Sequence, residues 1–429
     1  MMPSARIAVR CAAVSLLAFA TAAGAQQVVR PPLAQYWMDV ATHGMAGMPE
    51  MPGLPSLPSF LGGGASGGGN HYGNARAMSP GRWLDLALYT RSKPSGSEAA
   101  HAIPPGMEMG ASLPLVPLVA TAGARTPGES SDEPRERPSG RLLIYWGCGE
   151  TVRAGQPRVI DLASGDPQAF GRAFAGRYAP DRGARATPGY SLWPNEKSRA
   201  MVPRGASLAG DHAISGDGVP ASMKFALGQA QDFMPSIQLT SSGALAGSVA
   251  LQWAAVPNAR AYYLHAMASI GKDMVLWSSA ETPDSGMGLF DYLSNATIDR
   301  WVTDKTLLSA STTHCAVPKG IFASGRDAGA MLRMIAWGGE LNLAHPPRPS
   351  DVRKPWEPEW TARVRVKATT MAMLGMDLGA ATSAAEPAAR QAAQGDAPAG
   401  QSGQSAMPSL PGLPEAGRAI DAIKGLFGR

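Results

Sequence analysis

The stretch Ser248–Ala268, SVALQWAAVPNARAYYLHAMA, determines the fold class of this chain. Apolar residues alternate on both sides of a turn at Pro257-Asn258: Val249, Leu251 and Trp253 before it, and Tyr262, Leu264 and Ala266 after it. Alternation with a period of two is the pattern of a strand with one buried face. The stretch therefore predicts two β-strands joined by a turn.

Strand-like patterns recur along the rest of the chain. The clearest are Arg82–Thr90, Arg141–Gly147, Asp273–Glu281, Ala330–Leu341 and Trp360–Leu374, whereas Gly288–Val302 has the spacing of a short helix. Fifty glycines, 37 prolines and only 17% charged residues also argue against a helical protein. We expect an all-β fold with two antiparallel β-sandwich-like domains.

Composition sets the expected domain limits. Residues 1–25 form a signal peptide, 26–240 a first β-rich domain with a flexible Gly/Pro-rich insertion at about 43–80, and 245–376 a second sandwich domain. The glycine-rich break at 241–247 marks the boundary. Residues 377–429 are low in complexity and are predicted to be a disordered tail, because they cannot bury enough apolar surface to fold.

A five-residue pattern occurs twice in the first domain. Trp37–Ala41 and Trp83–Ala87 both read W-Φ-D-Φ-A, where Φ is an apolar residue. Five matched positions do not establish a duplication. Strands of one sheet that bury the same faces would share such a pattern, so the echo predicts two strands of one sheet.

The stretch Val249–Tyr263 resembles the second and third strands of fibronectin type III modules. Those modules carry L-x-W, then P-x-A and an aromatic residue, which here are Leu251-Gln252-Trp253, Pro257-Asn258-Ala259 and Tyr262. The resemblance covers about residues 245–344 and implies an antiparallel sandwich. Two features depart from the pattern: the segment 281–330 is too long, and the tyrosine-corner segment is not found. By analogy, the resemblance implies a spacer or adhesion role.

The N-terminus has the three parts of a secretory signal peptide. Arg6 and Arg10 precede the apolar run Cys11–Ala22, and Ala23-Gly24-Ala25 is a small-residue cleavage site. We expect cleavage after Ala25 and a periplasmic or secreted protein; the alternative is an uncleaved anchor.

Two cysteines, Cys148 and Cys315, remain after the signal peptide is removed. In an oxidising compartment they are expected to form a disulfide that ties the two halves together. The alternative is two buried free thiols.

The charge and the two chain ends suggest which partners to expect. Without Arg6 and Arg10 the formal charge falls from +5 to +3, and no basic run with interleaved aromatic residues occurs, so nucleic acid is not an expected partner. The motif M-P-x-L-P-x-L-P occurs twice and predicts docking strips, through Met51, Leu54 and Leu57 in the first copy and Met407, Leu410 and Leu413 in the second. Residues 415–427 have helical amphipathic spacing, for contact with a partner or a membrane surface, or they are a frayed tail.

Metal binding and histidine chemistry have weaker signals. His43, Met45, Met48 and Met51 offer soft ligands for Cu(I), but prolines prevent a helix that would align them, and a Met-rich linker is the plainer interpretation. Asp211, His212 and Asp217 lie close in sequence and suggest a base or a ligand set, or a polar turn cluster.

Two further groups suggest ligand contacts. Trp356 and Trp360 lie in a proline-rich connector and are candidates for stacking on sugar rings, or for packing a loop onto the sandwich. Arg363, Arg365 and Lys367 share one face of a strand, which either attracts an anionic envelope polymer or is an ordinary solvated face.

These patterns favour an exported, non-catalytic binding or assembly protein whose partner is an envelope protein or glycan. No catalytic residues or cofactor-binding motif could be assigned. The first alternative is an envelope polysaccharide or peptide hydrolase with dispersed carboxylates, and the second is a periplasmic copper-handling protein. A cleft lined by paired carboxylates would favour the hydrolase.

Overall fold

The structure is a computed structural model of the chain, which describes residues 27–47, 69–118, 140–162, 176–180, 183–289, 291–323 and 329–375, with 164 and 168. The described residues are dominated by strands, with one α-helix, α1 (Asn295–Thr303). The predicted all-β class is therefore confirmed. The predicted signal peptide and tail lie outside the described residues.

The described strands are numbered in chain order. Their bounds are β1 (Ala34–Met45), β2 (Gly81–Thr90), β3 (Ala99–Ala102), β4 (Ser112–Pro117), β5 (Arg141–Trp146), β6 (Arg158–Asp161), β7 (Ser191–Trp193), β8 (Gly210–Gly216), β9 (Lys224–Leu227), β10 (Leu239–Ser242), β11 (Val249–Trp253), β12 (Ala261–Ile270), β13 (Asp273–Ser278), β14 (Leu308–Ser309), β15 (His314–Val317), β16 (Ala330–His345) and β17 (Trp360–Leu374).

Fourteen of the described strands form one large sheet. Its order is β6-β5-β13-β12-β16-β17-β1-β2-β7-β4-β3-β8-β9, and β14 pairs with β12. Most pairs are antiparallel, but β1 pairs in parallel with β17, and β13 with β5. The predicted boundary near residue 241 does not separate two sheets, because strands from both sides of it pair here. The number of domains stays a prediction.

A second sheet of three strands, β10-β11-β15, covers part of one face of the large sheet. The two strands of the opening stretch are β11 and β12, and they lie in different sheets. Their aromatic residues meet in the core, where the rings of Trp253 and Tyr262 pack edge to face with centroids 5.7 Å apart. Truncating either ring would leave a cavity that costs roughly 3–5 kcal/mol.

The disulfide between Cys148 and Cys315 is present, as predicted, with Cα atoms 5.2 Å apart. Cys148 follows β5 of the large sheet, and Cys315 lies on β15 of the small sheet. The bond therefore joins the two sheets and closes a loop with a sequence separation of 167.

Helix α1 packs on the opposite face of the large sheet. Ser294 caps it by accepting a hydrogen bond from the Thr297 backbone, and Ile298 and Trp301 pack in a cluster with Trp337. The helical spacing predicted for 288–302 is confirmed from Asn295 onward. No helix in the described parts of the chain is long and apolar enough to cross a membrane.

The W-Φ-D-Φ-A echo is explained by the pairing of β1 with β2. The two segments are antiparallel neighbours, so each Trp faces the other copy's Ala, and Asp39 lies opposite Asp85. Leu84, Leu86 and Leu88 face the main core. The aspartates alternate with them and face the other side of the sheet. That side carries the candidate site.

Candidate ligand-binding site

A cavity of about 540 Å³ opens at the end of the large sheet where β1 and β17 begin. The connection from β16 to β17, residues 346–359, forms part of its wall and is called the strap below. Six side chains give the cavity its chemistry: Gln35, Trp37, Asn342, Arg348, Trp356 and Arg363.

Strand register brings three of these residues together. Trp37 on β1 is the partner of Arg363 on β17, and Arg363 is in turn the partner of Asn342 on β16. Side chains in register on neighbouring strands project from the same face of a sheet. The floor of the cavity is therefore a row of one aromatic, one cationic and one amide side chain.

The strap supplies the outer wall. The Trp356 backbone pairs with the N-terminal segment, donating from its N–H to Val28 O at 2.8 Å and accepting from Arg30 N at 2.9 Å, and its indole Nε1 donates to Pro346 O at 3.0 Å. Arg348 lies over the Trp356 ring with its Cζ 5.5 Å from the ring centre, and its Nε donates to Gln27 Oε1 at 2.6 Å. These bonds hold an aromatic face and a guanidinium at the cavity mouth.

The cavity is positively charged. Two arginines and no Asp or Glu are among the described residues that line it. A guanidinium fork pairs well with a planar carboxylate, and half-buried indole rings offer faces for stacking. The arrangement suits a ligand that combines a ring with an anionic group.

Behind the cavity, the same face of the sheet holds a buried ion network. Asp39 accepts hydrogen bonds from Arg365 Nε and Nη2 at 2.8 and 2.7 Å, and from Arg76 Nη2 at 2.7 Å. Burial opposes ionisation of Asp39, but the two guanidinium groups outweigh it and hold its pKa below the usual value. Asp39 is therefore ionised and firmly paired.

Asp85 has the opposite character. Burial, reinforced by the charge on Asp39, raises the pKa of Asp85 to about 8. Its Oδ2 accepts from the backbone N–H groups of Gly73 and Ala75 at 3.0 and 3.3 Å, whereas Oδ1 has no hydrogen-bond partner among the described residues. This carboxyl group therefore keeps its proton to a much higher pH than an ordinary aspartate does.

The expectation of an ordinary solvated face for Arg363, Arg365 and Lys367 is wrong. Arg365 is 2% exposed and Lys367 0%, because β17 is central in the sheet and is covered by Tyr292. Burial lowers the pKa of Lys367 to about 7. Among the three, only Arg363 lines the cavity.

His212 belongs to a different group from the one its sequence neighbours suggest. His212 Nε2 donates to Leu208 O at 2.8 Å, so in the neutral ring Nδ1 accepts from His101 Nε2, at 2.9 Å. His101 Nδ1 then accepts from Tyr36 Oη, also at 2.9 Å. The three hydrogen-bonded side chains, Tyr36, His101 and His212, are buried, whereas Asp211 and Asp217 are exposed. The structure therefore does not bring His212 together with the two aspartates in one site.

The proposed copper ligands are only partly described. His43 is 1% exposed and lies within 2.7 Å of Thr369 Oγ1 through its Nδ1, and burial holds its pKa well below the usual value. Met45 ends β1, and Met48 and Met51 lie outside the described residues. Across the described ranges, no three His, Cys, Asp or Glu side chains are grouped to hold a metal. Copper binding stays a prediction.

The two candidate sugar-binding tryptophans have different environments. Trp356 lines the cavity, whereas Trp360 is 4% exposed on the opposite face of β17, stacked on His345 with ring centroids 5.9 Å apart. Trp37, Asn342 and Arg348 were not predicted. Because alternate side chains of a strand share a face, Trp37 is expected on the same face as Asp39. The sequence has no signal for the parallel pairing of β1 with β17, which sets Trp37 beside Arg363. The docking residues of both Leu/Pro strips lie outside the described ranges.

Comparison with known proteins found no matching family model, no matching curated protein and no matching solved structure.

Proposed function

We propose that this chain is an exported, non-catalytic binding protein of the cell envelope, and that its cavity binds an acidic saccharide. The observation that carries the proposal is the placement of Arg348 and Arg363 beside Trp356 and Trp37 in a cavity that no described acidic residue lines. Ring stacking and carboxylate pairing are the two interactions that a uronic acid unit offers.

The polar floor supports a saccharide over a purely aromatic anion. Asn342 and Gln35 provide amide donors and acceptors for hydroxyl groups. The cavity of about 540 Å³ lies within the usual range for small-ligand sites and holds a few sugar units.

Export is supported by the signal-peptide pattern and by the disulfide, which forms in oxidising compartments. A fibronectin III-like module is supported by β11 and β12, which lie in opposite sheets, as the second and third strands of immunoglobulin-type sandwiches do. Such a module would act as the rigid support for the cavity.

The hydrolase alternative has less support from the geometry. Asp39 and Asp85 are two carboxylates on opposite positions of neighbouring strands. Each is only 3% exposed, and neither lines the cavity. A polymer bound in the cavity does not touch them. The geometry therefore favours binding over hydrolysis at this site.

The test is titration calorimetry of the full-length secreted protein with trigalacturonate. Trp356→Ala and Arg348→Gln should each weaken binding at least tenfold, which is about 1.4 kcal/mol. Arg353→Gln is the matched control, because Arg353 lies in the same strap but pairs with Asp351 and does not line the cavity. Equal affinity in all four proteins would overturn the proposal.

A further inference from the structure

The cavity lies at one end of a longer row of side chains on the same face of the large sheet. Three of its lining residues are in register across the central strands: Ala344 on β16 is the partner of Thr361 on β17, and Thr361 is the partner of Gln35 on β1. On the other side of β1, Gln35 is the partner of Tyr89 on β2. Residues in register project from the same face of a sheet, so the row leaves the cavity at Tyr89.

The row continues across two further segments of the chain. Ser191 on β7 is the partner of Leu88 on β2. The preceding residue, Tyr190, is therefore opposite Tyr89, and the two ring centroids are 5.6 Å apart. Beyond Tyr190, the Leu118 N–H donates to Tyr190 O at 2.9 Å, which extends the pairing of β4 with β7 by one residue. The row thus runs from the cavity over β1 and β2 to the ends of β7 and β4.

The aromatic side chains of this row form a partly open surface that joins the cavity. The ring of Trp37, which lines the cavity, has its centroid 5.6 Å from that of Tyr190. Trp37, Tyr89 and Tyr190 are each half-buried, and Leu118 is 38% exposed. Trp37 and Tyr190 pack on a small buried cluster that includes Leu192. Rings that packing holds in place, and that remain partly exposed, offer faces on which a ligand ring can stack.

The charge and the length of the row suit an anionic chain. Among the described residues that form it, none is acidic, and the aspartates of β1 and β2 on this face, Asp39 and Asp85, are buried. Neighbouring strands are ~4.8 Å apart, so the row extends roughly 14 Å beyond Gln35. A 1,4-linked sugar unit advances a chain by a distance close to one strand spacing, so the extension has room for about three further units.

We infer that the cavity is the first part of a longer binding track, which Tyr89, Tyr190 and Leu118 continue, and that the ligand is an acidic polysaccharide chain. This inference rests on the proposed binding of an acidic saccharide in the cavity. The arginines of the cavity pair with carboxylates of the first units, and the track contacts the units that follow. Tyr89, Tyr190 and Leu118 therefore determine the preferred chain length.

Calorimetric titration of the full-length protein with trigalacturonate and hexagalacturonate tests the track. The hexamer should bind the parent several-fold more tightly than the trimer does. A longer chain also offers the cavity more overlapping registers, so the decisive measurement is the effect of Tyr190→Ala on this preference. The variant should lose most of the preference for the hexamer and keep the affinity of the parent for the trimer. An equal preference in the parent and in Tyr190→Ala overturns the inference.

Leu118 offers a pair of variants that leaves the packed rings undisturbed, because its side chain is exposed. Leu118→Glu should weaken hexamer binding by repelling its carboxylates, and Leu118→Lys should strengthen it. Val159→Glu is the matched control, because Val159 is 51% exposed on β6, at the edge of the sheet away from β4. The charge added there should change neither affinity. Identical hexamer affinities of Leu118→Glu and Leu118→Lys overturn the inference.

The trimer titrations separate this inference from the function on which it rests. Trimer binding without a hexamer preference that depends on Tyr190 and Leu118 overturns the track and leaves the function of the cavity standing. Binding of neither oligosaccharide to the parent overturns both.

Discussion

Asp39 and Asp85 face each other across the β1–β2 ladder, yet their pKa values are shifted in opposite directions. Two guanidinium groups pair with Asp39, whereas Asp85 accepts hydrogen bonds from backbone N–H groups, and burial together with the charge of Asp39 outweighs the opposing influence of Arg76. The same substitution at these two positions should therefore have opposite effects on stability.

Asp85→Asn should stabilise the protein at neutral pH. The folded pKa of about 8 lies above the unfolded value of ~3.9, so the stability that Asp85 contributes below pH 4 is lost as pH rises through 8. The variant's advantage should grow by up to ~1.4 kcal/mol per pH unit between pH 4 and 8 and then level off. Urea denaturation across this range measures it, and an advantage independent of pH would contradict the assignment.

Asp39→Asn should destabilise the protein by about 3–5 kcal/mol at pH 7, because it removes the carboxylate charge that pairs with buried Arg365 and with partly buried Arg76. Urea denaturation of the parent, Asp39→Asn and Asp85→Asn measures the free energy of unfolding of each, and Asp85→Asn is the matched control. A loss below ~1 kcal/mol would show that Asp39 does not form the ion pairs with Arg365 and Arg76 described above.

Four buried histidines should make the protein sensitive to acid. Burial lowers the pKa of His43, His101, His212 and His265, the last to about 4. Their neutral forms fit the fold, so stability is present above the unfolded pKa of ~6.5 and is lost as pH falls through the folded values.

The histidine loss should be partly offset by Asp85, which gains stability as pH falls. We expect Asp85→Asn to lose stability more steeply than the parent between pH 6.5 and 5, by up to ~1.4 kcal/mol per pH unit. The free energy of unfolding measured at half-unit steps tests this. Parallel curves for the two proteins would be the contrary result.

Removing the disulfide should weaken the contact between the two sheets. Cys148→Ser/Cys315→Ser should lower the free energy of unfolding by about 2–5 kcal/mol, since the bond closes a loop with a sequence separation of 167. Denaturation with and without a reducing agent provides the control, because the reductant should affect only the parent. A stability difference under reducing conditions as large as under oxidising ones would point to packing of the thiols instead.

Local periodicity predicted the longer strands but not short ones such as β6, β7 and β8, and residue type predicted the disulfide. The alternation in Arg82–Thr90 and Ser248–Ala268 needs no tertiary information, and neither does the W-Φ-D-Φ-A echo. The parallel pairing of β1 with β17 does need it, because the two strands are more than 300 residues apart. Without that pairing, Arg365 and Lys367 are indistinguishable from a solvated strand face.

The candidate site was predictable only in part. Trp356 was singled out from its proline-rich surroundings, and it does line the cavity. Trp360, four residues away, turns to the core because β17 begins there and its side chains alternate. Arg348 lies in an irregular connection. No periodic pattern in the sequence there predicts which way its side chain points.

The relative affinity for an acidic and a neutral trisaccharide tests the central claim most directly. Calorimetric titration of the full-length protein with trigalacturonate and with maltotriose separates carboxylate pairing from ring stacking. We predict at least tenfold tighter binding of trigalacturonate, with a preference that shrinks as salt screens the arginines. Equal affinity for the two trisaccharides, or no binding of trigalacturonate, would contradict the account.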